Sequence, residues 1–165
     1  MGRLFAERHY ELALVGGPVR DMLLHRVSHD LDFCTSARPE EFEPILRRWG
    51  HDGFWDMGRK FGTLGAMRRR ADGTEVKVEI TTYRSDVYDP DSRKPEVQYG
   101  DTLEGDLSRR DFTVNAMALR VPDLQFVDPF GGASDLAKGV LRTPVDPRQS
   151  FDDDPLRMML SLIHI

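Results

Sequence analysis

The sequence predicts an α+β fold, or the closely related α/β arrangement, in which helices pack over one face of a mixed sheet. Three observations lead there. Strand-like and helix-like stretches alternate over residues 11–50, a hairpin signal follows at Asp72-Gly73, and helix and strand signals resume beyond residue 105. The chain of 165 residues has about one domain's length and room for a single sizeable core.

Taken in order, "YELALVGG" reads as a strand over residues 11–15, broken by Gly16-Gly17. "PVRDMLLHR" reads as a helix, with Pro18 suited to its first turn and Val19, Met22 and Leu23 on one apolar stripe. "DLDFCT" is a second strand, and its period of two sets Asp30 and Asp32 on one face, Leu31 and Phe33 on the other. A helix is expected at Pro39–Trp49, closed by Gly50. The hairpin comes next, its second strand alternating Val76, Val78 and Ile80 with Lys77, Glu79 and Thr81.

Residues 84–105 are polar and rich in breakers, so a long mobile loop is expected. "LSRRDFTVNAMAL" reads as a third long helix, with Ser108 and Asp111 approximating a capping box. "LQFVDPFGG" is a strand and turn, "ASDLAKG" a short helix stopped by Gly139, and "VLRTP" a last strand. "DDDPLRMMLSLIHI" opens a helix with an aspartate cap and Pro155 in its first turn. Its uncovered apolar face suggests an interface or a piece of something longer.

Charged residues make up 31% of the chain and are mixed in sign, which argues against disorder. The formal charge of -5 gives no global attraction for a polyanion, although clustered arginines leave local binding open. Arg47-Arg48 and the run Arg68, Arg69, Arg70 read as solvated surface. Cys34 is the only cysteine, which excludes an intramolecular disulfide and a cysteine-rich zinc cage. The sequence shows neither a basic-then-apolar leader nor an apolar run of membrane-spanning length, so the expected compartment is the cytoplasm, with no membrane partner.

Two clusters bear on chemistry. A strand that ends in Gly16-Gly17 and turns into a helix bares amide groups that a phosphate can approach, and Arg20 could add a forked pair of donors. A plain tight turn gives the same pattern. Asp30 and Asp32 converge above the sheet, where like charges are costly unless a cation lies between them; oxygen donors without clustered histidine or cysteine favour Mg²⁺. A solvated strand edge is the alternative. Glu79 is either a third acid aligned with that pair or a cross-strand partner of an arginine. His25 and His29 stand four apart, but they lack the further ligands that zinc needs.

The run "VGGPVRDMLLHRVSHDLDFCT" is followed in order by "EITTYRSD", "LEGDLSRRDFTVNAMA", "FVDPFGGASDLAKGVLRT" and "DDDPLRMM". Together, over residues 12–159, they resemble the tRNA nucleotidyltransferase/poly(A) polymerase family, bacterial type, within the polymerase-β-like nucleotidyltransferases. The resemblance implies a catalytic head with a five-stranded mixed sheet (residues 1–145) and the start of an α-helical neck (residues 146–165). It implies Gly16, Gly17 and Arg20 on a triphosphate, Asp30 and Asp32 on two Mg²⁺ ions, and Glu79 as third catalytic acid. Arg110 would contact the nucleotide, and Asp111 and Asn115 would shape the sugar pocket. Asp154 and Arg157 would meet the base edge of CTP or ATP in place of a nucleic-acid template. The implied acceptor is the 3′ end of a tRNA, gripped mostly by a body and tail outside this sequence. Asp153-Asp154 replaces the family's usual Glu-Asp, and Leu160 stands where a further arginine is usual.

Overall fold

A computed structural model describes residues 1–85 and 98–164 of the chain. The elements that come first in sequence form where expected. Strand β1 (Leu12–Val15) runs into helix α2 (Gly17–Leu23), and strand β2 (Asp30–Thr35) leads to helix α3 (Pro39–Trp49). The start of α3 is closed by Glu41, whose Oε2 accepts from the backbone N–H of Arg38 at 2.6 Å. A short helix absent from the sequence reading, α1 (Gly2–Ala6), precedes them and buries Phe5 against Phe42, ring centroids 6.2 Å apart.

The sheet has seven strands among the described residues, rather than the five that the resemblance implied. Besides β1 and β2 it contains β3 (Gly53–Trp55), β4 (Thr63–Arg69), β5 (Glu75–Thr82), β8 (Ala118–Val121) and β9 (Gln125–Val127). Their order is β3-β4-β5-β2-β1-β8-β9. β2 and β5 run parallel, and the other neighbours in this sheet are antiparallel. The larger count has a local cause: β3 is three residues long, too short to show a period, and β8 lies inside a stretch that reads as helix.

One face of the sheet carries Leu12, Leu64, Ala66, Val78 and Ile80 and is covered by Phe5, Phe42, Ile45 and Leu46 from α1 and α3. The opposite face is covered only in part. Ala13, Val15, Cys34 and Ala118 pack under Leu103 and Leu107 of helix α4 (Leu103–Ser108). Asp30 and Asp32 continue the row begun by Cys34, beyond this cover, and both are exposed. The uncovered half of that face is where the site lies.

Several expectations are corrected. Leu103–Ser108 forms the third helix, ahead of the predicted stretch, because Thr102 caps it by accepting from the Gly105 N–H at 3.1 Å; Ser108 ends it instead of starting it. Phe112, Val114, Ala116, Met117 and Ala118 suggest a helical stripe, but all are buried, since the chain threads the core as a 3₁₀ turn (Thr113–Asn115) and then β8. In α2, Val19 is buried while Met22 and Leu23 are exposed. "VLRTP" forms no strand; its Arg142 carbonyl accepts a single bond from the Thr113 N–H at 2.7 Å. Within the predicted loop, β6 (Arg84–Ser85) pairs with β7 (Gln98–Tyr99), and residues 86–97 lie outside those described. Helix α5 (Gly132–Lys138) stops at Gly139 as expected. Helices α6 (Pro147–Asp153) and α7 (Leu156–His164) follow. Among the described residues no helix is long and apolar enough to cross a membrane.

Candidate active site

The elbow between β1 and α2 depends on Gly16, whose φ of 72° is a conformation that side chains disfavour. A Cβ on Gly16 would meet Nη1 of Arg110 at 3.1 Å, and one on Gly17 would meet Nη2 of Arg20 at 3.7 Å. Two guanidinium groups therefore lie against a backbone stripped of side chains. Arg20 is oriented from two sides, by Asp21 (Nη2 to Oδ1, 2.8 Å) and by Asn115 (Nη1 to Oδ1, 2.9 Å). Asn115 in turn donates from Nδ2 to both carboxylate oxygens of Asp111, at 3.1 and 3.2 Å. Asp111 and Asn115, four residues apart, and Arg20, 95 residues from Asn115, form one chain of bonds across the floor of the elbow.

Arg110 is held by Asp106, a residue that the sequence reading did not single out. Asp106 is buried, and its Oδ2 accepts from Arg110 Nη2 at 3.1 Å while Oδ1 accepts from the Arg84 N–H at 3.2 Å. The signal was available: the pair stands at i and i+4.

The register brings two of the three expected acids side by side. Parallel pairing sets Asp32 directly opposite Glu79, and Asp30 opposite Lys77. Among the described residues neither Asp30 nor Asp32 forms an ion pair. Crowding by its surroundings raises the Asp32 carboxyl above its ordinary value; Glu79 and, more weakly, Asp30 push the same way, and Arg110 opposes them. The side chain as a whole stays open to solvent, so the crowding acts on one side of the carboxylate. Glu79 accepts one hydrogen bond, from Trp55 Nε1 at 3.2 Å.

Among the described residues no group of three His, Cys, Asp or Glu side chains is arranged to hold a metal ion. The donor chemistry of Asp30 and Asp32 nonetheless fits a hard cation. Two carboxylates without ion-pair partners among the described residues, side by side on an open face, suit an ion that takes its other ligands from water and substrate oxygens.

The pair expected to read the base is placed differently from the elbow residues. Asp154 caps α7, its Oδ1 accepting from the Leu156 N–H at 3.0 Å. Arg157 is buried, donating to Ser150 Oγ at 2.8 Å and to the Arg109 carbonyl at 2.6 Å. It lines a cavity of about 290 Å³ together with Arg84, Thr102, Arg109 and Gln149.

Residues 12–142 match the family model described as the Poly A polymerase head domain. The chain belongs to that family. Its relatives include CCA-adding enzymes. It is 38% identical to that of Enterococcus faecalis over 154 residues, covering 93% of this chain and 35% of the relative. It is 42% identical to that of Streptococcus pneumoniae serotype 19F over 154 residues, covering 93% and 36%. Among solved structures, the Bacillus stearothermophilus CCA-adding enzyme in complex with CTP superposes with a TM-score of 0.78 at 34% identity, over 95% of this chain and 35% of that one. The Thermotoga maritima CCA-adding enzyme complexed with tRNA gives 0.76 at 30% identity, over 99% and 35%. The chain thus spans about a third of the length of the family members it matches.

Proposed function

We propose that this chain is the catalytic head, with the first turns of the neck, of a template-independent nucleotidyltransferase that adds C and A from CTP and ATP to a tRNA 3′ end. The observation that carries the reading is Asp32, which pairs with Glu79, shares its open strand face with Asp30 and lies within the field of Arg110 at the Gly16-Gly17 elbow. Relatives named as CCA-adding enzymes, among them structures with CTP and with tRNA, supply the substrate class.

Each group has a task in the transfer. The bare backbone at Gly16 and Gly17 admits the triphosphate, and Arg20 and Arg110 take its negative charge, strengthening as pyrophosphate departs. Asp111 and Asn115 hold the sugar and keep Arg20 in place. Asp30 and Asp32 would hold two Mg²⁺ ions, which when bound supply charge neutralisation and a more acidic attacking 3′-hydroxyl. Glu79 completes the acidic floor beside Asp32. Asp154 and Arg157 select the base by accepting from the exocyclic amine of C or A and donating to a ring acceptor, which requires Arg157 to leave Ser150 and Arg109.

A second reading, nucleotide binding without transfer, is favoured by the chain's spanning about a third of its relatives. The test is extension of a tRNA lacking its terminal nucleotides by the full chain, with CTP alone, with ATP alone and with both nucleotides, alongside CTP calorimetry in Mg²⁺. Incorporation of C that is lost in Asp32→Ala supports the proposal. Tight CTP binding without extension favours the second reading, and extension by ATP alone identifies a poly(A) polymerase.

A further inference from the structure

The acids do not stand alone on their face of the sheet. Across four neighbouring strands Trp55 pairs with Gly65, Gly65 with Glu79, and Glu79 with Asp32. Paired residues share a face, so these four form one row running from the sheet edge to the acids. The indole of Trp55 does not point outward from that edge. A Cβ on Gly65 would lie 2.0 Å from its Cε2 and 2.1 Å from its Nε1, so the ring lies flat over the strand between. From there Nε1 donates to Glu79 Oε1 at 3.2 Å, the one hydrogen bond that this carboxylate makes among the described residues.

We infer that Trp55 is a positioning residue for Glu79, and that Gly65 exists to let the indole reach it. The inference rests on the proposed reading of Asp30, Asp32 and Glu79 as an acidic floor. An exposed glutamate on a strand samples several rotamers, some of which carry its charge away from Asp32. A donor on the far side fixes one oxygen and with it the direction of the carboxylate. The chemistry of the donor matters. A lysine or arginine in its place would neutralise Glu79 and compete with a bound cation. An indole N–H orients the group and leaves its charge intact, and it has no proton to lose near neutral pH.

The test uses the full chain without nucleotide and has two readouts, the indole ¹⁵N–¹H resonance and Mn²⁺ affinity by calorimetry. Trp49 packs with the helix-side core, so Trp49→Phe assigns the Trp55 resonance. The expected results are that the Trp55 resonance moves in Glu79→Gln, and that Trp55→Phe and Gly65→Ala each weaken Mn²⁺ binding about tenfold while the double variant is no weaker than either alone. Trp55→Phe keeps a ring over Gly65, so a purely structural role would lower the melting temperature and leave Mn²⁺ affinity unchanged; that result, or a resonance indifferent to Glu79→Gln, overturns the inference. If Asp32→Asn binds Mn²⁺ as tightly as the wild type, the acidic-floor reading fails on its own. The resonance still decides whether Trp55 holds Glu79.

Discussion

Arg20 donates through Nη1 to Oδ1 of Asn115 at 2.9 Å, joining the start of α2 to a turn that lies most of the chain away in sequence. The bond makes the anion-facing arginine depend on a neutral amide. Asn115 also donates to Asp111, so one side chain keeps a cation and an anion apart while orienting both.

Asn115→Ala should therefore leave the fold intact and loosen Arg20. Loss of one well-placed bond is worth about 1 kcal/mol, or roughly a fivefold to tenfold weakening of CTP binding. Calorimetry with CTP, set beside a melting curve, measures both. An unchanged CTP affinity would remove Asn115 from the nucleotide site.

The raised Asp32 carboxyl predicts a pH dependence with a definite sign. Its folded value exceeds the unfolded one, so the folded state holds the proton more tightly. Stability then falls as pH rises from the ordinary aspartate range through the folded value, and the cost stays constant above it. In chelator, Asp32→Asn should melt above the wild type at pH 7, with the difference shrinking to nothing as pH drops below the ordinary aspartate value. Thermal melts across that range check it, and a wild type that melts higher than Asp32→Asn at pH 7 would contradict the crowding.

Asp106→Ala should be more damaging than its distance from the acids suggests. The carboxylate side chain is 3% exposed and that of Arg110 is 25% exposed, so removing the anion strands a partly buried cation and the Arg84 N–H. Fully buried pairs cost 3–5 kcal/mol to break; with solvent reaching Arg110, about 2 kcal/mol is expected in denaturant titration. Nucleotide binding should weaken as well, because Arg110 would no longer be held against Gly16.

Gly132→Ala probes the support behind the turn that carries Asn115. A Cβ there would lie 2.1 Å from the carbonyl oxygen of Thr113, at the start of the turn that carries Asn115. Backbone cannot yield as a flexible side chain does, so a destabilisation of about 1–3 kcal/mol is expected. A melting curve indistinguishable from the wild type would show that the turn can shift freely.

Much of the site was legible because its signals are local. Gly16 and Gly17 punctuate a strand–helix junction, Asp30 and Asp32 share a strand, and the alternation around Val78 and Ile80 put Glu79 on the polar side. What escaped depends on who neighbours whom. Trp55 and Gly65 acquire meaning only once β3 is laid beside β4, a pairing that three residues cannot announce. The stretch from Phe112 to Ala118 was misread for the opposite reason: it is apolar enough for a helix stripe, but all of it except Asn115 is buried, and burial on nearly every side carries no period. Arg157 illustrates a third limit, since its residue type suits base recognition while its partners here are Ser150 and a backbone carbonyl.

The one parallel pairing among the described residues, β2 with β5, has a consequence for how the protein comes into being. Hairpins can zip from their turns, but two strands that point the same way must wait for everything between them to travel across the sheet and return. Asp32 and Glu79 are consequently brought together by a long crossover that contains α3, β3 and β4, not by a local turn. A newborn or half-unfolded chain carries every acid it needs and has nowhere to gather them. On the proposed reading, competence for the transfer therefore depends on the finished architecture, and loss of the β2–β5 pairing would take it away even with every acid still present.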